Sequence, residues 1–556
     1  MSNIKKILAL SFLTIPYALE SNDCCPDACA PISQNLWQPH AFSAYASREI
    51  LIMKGLDVDQ EKDHWISRFG FTTEYMQNFR NQCQGLGALP FWSGTNTMTI
   101  GDNSGDYDLD AYQFGMGDIK TNSEGKLESG AITLNPKIQQ AGTEFLWWLQ
   151  QYDDKPGVYC KVKMPVGAMI MNNRLCEDPA TLSYANVYVE HDNFDRDGRS
   201  LISPEVFYPT LSAAFASGLH SQDPIFEFGR ITCCQNSSIK LGDISVVVGG
   251  NFVASENGHA GLGFKVSCPT GTVPTAKYVL EPIFGRAGHW GVGAEFYAHY
   301  KHNNNDDGTK YWTFWVQSEL MHLFSGRKPS WRSFDLAANG PGSKYLLLQR
   351  YAYEGAITNN SPSNLHPAIN LTTLPVISTF DLEGNCAMMI DCHNHNWNVG
   401  LAVEFWARTR ESLAIDNCRA LQDRDNALTD YNLNHYVVLG RQIGNIGGSR
   451  WCEPLARINK SAPRQLSVIE DAYKQQVKSA TDDANRIPAD YEVALDICGA
   501  TAPQIFTGKI LGEFGYTWED KKTAPHVSVF GAVELAGSDK RAANLWSVGL
   551  QGSVQF

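Results

Sequence analysis

Trp546-Ser-Val-Gly-Leu-Gln-Gly-Ser-Val-Gln-Phe556 decides how the rest of the chain is read. Its even positions, Trp546, Val548, Leu550, Gly552, Val554 and Phe556, alternate strictly with Ser547, Gly549, Gln551, Ser553 and Gln555. Period two marks a strand with one apolar and one polar face. About ten residues is the length with which a tilted strand crosses a bilayer. A soluble amphipathic strand has the same pattern, so its neighbours in sequence must arbitrate.

Working back from it, Ile510, Gly512, Phe514, Tyr516 and Trp518 share one face, against Lys509, Glu513, Gly515 and Thr517, with Leu511 as an exception. After the turn 519–525, Val527, Val529, Gly531, Val533 and Leu535 face one way. His526, Ser528, Ala532 and Glu534 face the other, with Phe530 out of pattern. The last fifty residues or so therefore read as a three-strand antiparallel meander. Two central segments look like copies of one strand: His289 to Lys301 and Asn396 to Arg410, each with an aromatic start, a Glu-Phe-aromatic-Ala core and a basic end. Their apolar faces (Trp290, Val292, Ala294, Phe296; Trp397, Val399, Leu401, Val403) suit lipid. Glu295, His299, Lys301, Glu404, Arg408 and Arg410 lie opposite, where charge is costly in lipid and comfortable against water. Tyr311 to Phe324, carrying Glu319 on the polar face, follows the turn 303–308. Further strands are expected over Ile66–Met76, Val158–Met169, Phe226–Thr232, Asp243–Ala254, Ala260–Ser267 and Tyr345–Tyr353. Together these predict an all-β fold, a transmembrane antiparallel up-and-down barrel of about 12–16 strands.

Other stretches read as helices set into that barrel as loops or a plug: near 137–151, 205–219 and 412–490, the last including Ser412–Ala427 and Arg464–Arg486. The expected organisation is a signal peptide over 1–21, an N-terminal segment over 22–60, and the barrel over 61–556. The signal rests on Lys5 and Lys6, the apolar run Ile7 to Ile15, and a cut after Ala18 or Ser21. No apolar run is long enough for a transmembrane helix. The chain has 556 residues, 43% of them hydrophobic and 19% charged, with a net charge of −14. That excludes a disordered chain and argues against nucleic acid as a partner. Its 14 cysteines, exported to an oxidising envelope, read as disulfides within loops or between molecules.

Enzyme signatures are missing: there is no GxSxG elbow, HExxH, phosphate-binding loop or dinucleotide fingerprint, so no catalysis and no cofactor is expected. Asp391-Cys392-His393-Asn394-His395 gathers metal-ligating residue types. With no third ligand at a usual interval it is read as a polar loop ahead of the strand at Trp397, and no metal is assigned. Asn193 to Gly198 resembles the start of a calcium loop, but Pro204 stands at the closing position and Glu205 one residue later, so it is read as a turn. Asp106, Asp108 and Asp110 read as a solvated acidic loop.

The final strand, with Trp546, Val548, Leu550, Val554 and Phe556 at alternate positions and Gly552 as the departure, resembles the signal by which the barrel-assembly machinery recognises outer-membrane barrels. The whole chain resembles porin-type barrels, and its cysteine load resembles the cysteine-rich major outer-membrane proteins of chlamydial type. The resemblance implies a location among outer-membrane lipids and passive diffusion of small polar solutes. The lumen would be lined by Glu295, His299, Lys301, Glu319, Glu404, Arg408, Arg410, Lys509, Glu513 and Glu534. It also implies disulfide-linked neighbours or a homo-oligomer. Two other readings stay open: a structural or adhesive surface barrel crosslinked by its cysteines, and a soluble exported β-rich binding protein.

Overall fold

A computed structural model describes residues 33–54, 65–79, 86–101, 108–110, 130–151, 156–177, 226–231, 236–255, 257–303, 309–337, 339–350, 365–416, 436–438, 495–518, 523–536 and 543–555. Among these residues, twelve antiparallel strands close into a barrel. In chain order they are β1 (Ile66–Asn78), β2 (Lys137–Gln150), β3 (Gly157–Asn172), β4 (Ile244–Ser255), β5 (Gly258–Cys268) and β6 (His289–Asn303). They continue as β7 (Lys310–Ser325), β8 (Thr373–Asn394), β9 (Trp397–Arg408), β10 (Ile505–Thr517), β11 (His526–Ala536) and β12 (Leu545–Gln555). Each strand pairs with its neighbours in sequence. The ring closes where β1 meets β12, from Arg68 opposite Gln555 to Asn78 opposite Leu545. Closure leaves no unpaired edge, a condition for a sheet in hydrocarbon, where a free amide has no water to bond.

The strands divide the molecule into two mouths. At one, the connections are short: 151–156, 256–257, 304–309, 395–396 and 518–525. At the other they are longer, apart from 537–544, and small sheets such as that of Thr97–Gly101 with Gly130–Leu134 and Leu175–Glu177 pack there over an apolar cluster. Trp37, Phe42, Trp92, Phe284, Phe334 and Tyr345 belong to that cap.

Outside the ring, the greasy faces lie bare. Leu262, Phe264, Leu401, Ile510, Val529 and Leu550 are all exposed. Trp65, Trp147, Trp312, Trp397 and Trp518 are exposed near the short-turn mouth, and Phe324, Phe405 and Phe506 near the other. Two rings of aromatics bracketing an aliphatic band is the arrangement that fits headgroups and acyl chains. Four of the five free cysteines among the described residues, Cys160, Cys268, Cys386 and Cys392, sit at outward positions of β3, β5 and β8, and Cys176 is a free exposed thiol. Cys498, in the cap, is disulfide-bonded.

Several expectations need correction. Residues 137–151 are not a helix: Lys137–Gln150 is β2, hydrogen bonded along its length to β1 and β3. Phe226–Thr232 forms no barrel strand, only a bridge from Arg230 to Tyr278. Tyr345–Tyr353 yields the short strand Leu347–Arg350 in the cap. Glu411–Ile415, at the start of the stretch read as helical over 412–490, is a strand paired with β8. The twelve strands stand at the low end of the expected number. The signal peptide, the helix over 205–219, the 464–486 helix, the loop at Asn193 and Phe556 lie outside the described residues.

The described part of the N-terminal segment, residues 33–54, runs from the cap into the barrel. Ser33 and Gln34 sit in the cap, against Pro90 O, Leu89 O and Thr501 O. Helix α1 (Ala46–Lys54), buried at every residue, then occupies the lumen, and Lys54 lies beside Asp391 and Glu513 near the short-turn mouth. Its apolar Ile50, Leu51, Ile52 and Met53 are contiguous, which suits a helix enclosed on all sides.

Leu401 lies midway along β9 on the outward face, 60% exposed. A Leu401→Arg substitution is expected to cost about 2–4 kcal/mol of stability in a bilayer. Urea unfolding in phospholipid vesicles reads this, and an unchanged midpoint contradicts a lipid-facing β9.

Candidate functional site

In the lumen, charged wall residues meet the charged side chains of α1 and its approach, beside an apolar cluster in which Ile50 to Met53 pack against wall residues such as Leu146, Trp148 and Leu511. Inward positions along the strands are every second residue, so a pair such as Lys161 and Lys163 on β3 points the same way. Both lysines reach Glu49 of α1, Lys161 at 3.4 Å. Lys265 of β5 lies 3.8 Å from the same carboxylate, and Gln317 of β7 donates to it at 2.9 Å. Two of the three lysines are shared with wall carboxylates, Lys161 with Glu295, and Lys265 with Glu295 at 3.4 Å and with Glu319, while Lys163 also donates to Ser43 O at 2.9 Å. Arg286, from the connection to β6, pairs with Glu319 at 3.2 Å and Glu383 at 2.7 Å. Glu49, Glu295 and Glu319 lie close enough to hold a cation, but lysine and arginine side chains fill that role.

Both ends of the helix are tied to the wall as well. Glu404 of β9 accepts from Ala46 N at 2.6 Å, Ser47 N at 3.4 Å and Ser47 Oγ at 2.6 Å. A carboxylate there satisfies amides that the first turn leaves unbonded and meets the positive end of the helix dipole. Arg48 pairs with Glu74 of β1 at 3.4 Å and lies 3.8 Å over the Phe42 ring. Tyr45 donates to Glu534 at 2.6 Å, and His40 meets the same carboxylate at 3.2 Å. Close packing completes the fit: a Cβ on Gly70 of β1 would fall 2.3 Å from Ile52 Cγ2. In the cap, Lys344 donates to Ser33 O and pairs with Asp335 at 3.4 Å. Burial pushes Lys344 down and Asp335 up from their ordinary values, each opposed by the other's charge.

The residues expected to line a pore fall into three groups. Glu295, Glu319, Glu404, Arg408, Lys509, Glu513 and Glu534 are inward and buried. Lys509 pairs with Glu74 at 3.2 Å, and Arg408 reaches Gln38 O at 3.4 Å. His299 and Lys301 are half-buried near the short-turn mouth, His299 against His259 at 3.3 Å and Lys301 over Tyr311 at 4.5 Å. Arg410 lies beyond the end of β9 and bonds Thr501 Oγ1 at 3.1 Å and Cys498 O at 3.3 Å, in the cap and not on the wall. The Asp391–His395 stretch is not a loop: Asp391 and His393 end β8 facing inward, Cys392 faces out, and His395 forms the tight turn with φ 52°.

Sequence reasoning missed Arg48, Glu49 and Lys54 because they lie in a segment left unassigned. Lys161, Lys163, Lys265 and Glu74 were within reach of it: each sits at an inward position of an expected strand.

No family model and no curated protein matches the sequence. Among solved structures, an outer-membrane channel from Pseudomonas putida F1 aligns at 7% identity over 90% of this chain and 100% of its own, with a TM-score of 0.34. A Pseudomonas aeruginosa FadL homologue aligns at 8% identity over 89% and 90%, TM-score 0.25. The toluene transporter TbuX of Ralstonia pickettii aligns at 8% over 95% and 97%, TM-score 0.24. The function is therefore read from this chain's own wall and plug.

Glu49→Gln leaves three buried lysines short of a carboxylate. It is expected to weaken the docked state by about 3–5 kcal/mol, the loss typical when one partner of a buried ion pair is removed. Adding Lys163→Gln should recover part of that loss. Thermal unfolding of the single and double variants reads the coupling, and strictly additive losses would show that the pair does not hold the helix.

Proposed function

We propose that this protein is a channel of the bacterial outer membrane, closed by its own N-terminal segment, through which small polar solutes diffuse when that segment moves aside. The observation that carries the reading is the chemistry of the wall around α1. A barrel filled permanently could pack its lumen with apolar side chains, since replacing a buried ion pair by well-packed apolar groups is often neutral or stabilising. Here the strands offer Glu74, Lys161, Lys163, Lys265, Glu404 and Glu513 to the helix. Charges of that kind are tolerable without the helix only if water takes its place, which is the condition of an open aqueous pore. Opposed carboxylates and ammonium groups on one lumen would then set a size limit and a transverse field for the solute. The apolar outer band with its aromatic rings supports the membrane location. Charge on the inner face favours polar over greasy cargo.

Full-length protein in planar bilayers is expected to be mostly closed with brief openings, and removal of residues 33–54 to give a steady conductance at least about tenfold larger. An Ile52→Cys/Gly70→Cys pair, whose side chains meet across the helix and β1, should lock the full-length protein shut until it is reduced. A silent deletion variant that is nonetheless folded would refute the channel.

A further inference from the structure

Glu49 reaches from the helix into a set of donors that belongs wholly to the barrel. Its Oε2 accepts from Gln317 Nε2 of β7 at 2.9 Å and lies 3.4 Å from Lys161 Nζ of β3. Its Oε1 meets Lys163 Nζ of β3 and lies 3.8 Å from Lys265 Nζ of β5. On β4, between those strands, Val247 is the register partner of both Lys161 and Lys265, and Ser245 that of Lys163. Ser245 is 1% exposed, and its Oγ has no hydrogen-bond partner. The wall does not match all of these cations with carboxylates of its own. Lys161, Lys265 and Arg286 pair with Glu295, Glu319 and Glu383, three against three. Lys163 is left over: its partners are Glu49 and Ser43 O, and both leave with the threaded segment. Glu144 of the neighbouring β2 is the nearest rival in the wall, yet among the described residues neither of its oxygens has a hydrogen-bond partner.

We propose that Lys161, Lys163, Lys265 and Gln317 form the solute-binding subsite of the open channel, for the carboxylate of a small organic acid, and that Glu49 occupies it in the plugged state as an internal mimic of that solute. The assignment rests on the reading of the protein as a channel closed by its N-terminal segment. Glu49 shows which chemistry the nest accepts: a carboxylate takes charge-assisted bonds from the ammonium groups and a further bond from the amide. A solute cation would meet three lysines there. One unmatched positive charge, that of Lys163, suits a monocarboxylate better than a doubly charged anion. Solute and Glu49 compete for the same donors, so binding of one loosens the other, and the solute favours the displaced helix.

Full-length protein in planar bilayers, under a gradient of N-propylammonium propionate, compares two ions of equal size and opposite charge. Its openings are expected to favour propionate by at least about threefold, and Lys163→Gln to bring that ratio near one. Unselective or cation-selective openings overturn the subsite, and so does a preference that survives Lys163→Gln. The nest is also tested without conductance. In detergent, Glu49→Ala vacates it, and propionate is expected to raise the melting midpoint of that variant by several degrees while N-propylammonium does not. No rise, or an equal rise with either ion, overturns the proposal. The isosteric Glu49→Gln serves in the same assay should Glu49→Ala fail to fold. A rise with propionate in a protein that is silent in bilayers would leave the nest standing as a carboxylate site and refute the channel.

Discussion

Charge compensation between α1 and the barrel wall is the constraint on which the rest of the structure depends. An ionised group removed from water costs several kcal/mol unless another charge or a set of hydrogen bonds replaces the lost solvation. The inward faces of β1, β3, β5, β8, β9 and β10 present such groups, and the helix answers them in order: its first amides on Glu404, Arg48 on Glu74, Glu49 on three lysines, Lys54 on Asp391 and Glu513. Remove the helix and the same groups need water. A lumen of this kind has two satisfied states, plugged and flooded, and no satisfied dry empty one.

The two ends of the threaded segment are held by different physics. Residues near Trp37 and Phe42 are packed in the apolar cap, where release means exposing hydrocarbon at about 25 cal/mol per Å2. The helix below is held by ion pairs and by an apolar cluster in which Ile50, Leu51, Ile52 and Met53 pack against wall residues such as Leu146, Trp148 and Leu511.

The outer surface was legible in the sequence because lipid imposes a simple rule, one apolar residue in two, and β9 to β12 obey it nearly without exception. The lumen was legible only as a sign: Glu295, Glu404 and Glu513 could be assigned to the wet face, but what they touch could not, since Glu404 and Glu513 meet a helix hundreds of residues away and Glu295 meets lysines of two other strands. β2 was misread because Phe145-Leu-Trp-Trp-Leu149 is apolar on both faces, Trp147 toward lipid and Leu146 and Trp148 toward the interior, which erases the period of two. The plug was missed for a related reason. A helix surrounded by wall needs no polar stripe, and Ile50 to Met53 show none. Asp391 to His395 looked like a loop because its polar residues are dense; in the barrel they are the alternating end of a strand.

Hydrogen–deuterium exchange of the amides in Ala46–Lys54, in full-length protein held in lipid nanodiscs, tests the central claim most directly. A helix clamped by the wall is expected to exchange more slowly than the short turns by at least about two orders of magnitude, and to lose that protection when Glu49 and Glu404 are both replaced by their amides. Exchange as fast as the turns in the unsubstituted protein would mean that the lumen does not hold the helix, and the account of a charge-latched channel would fail.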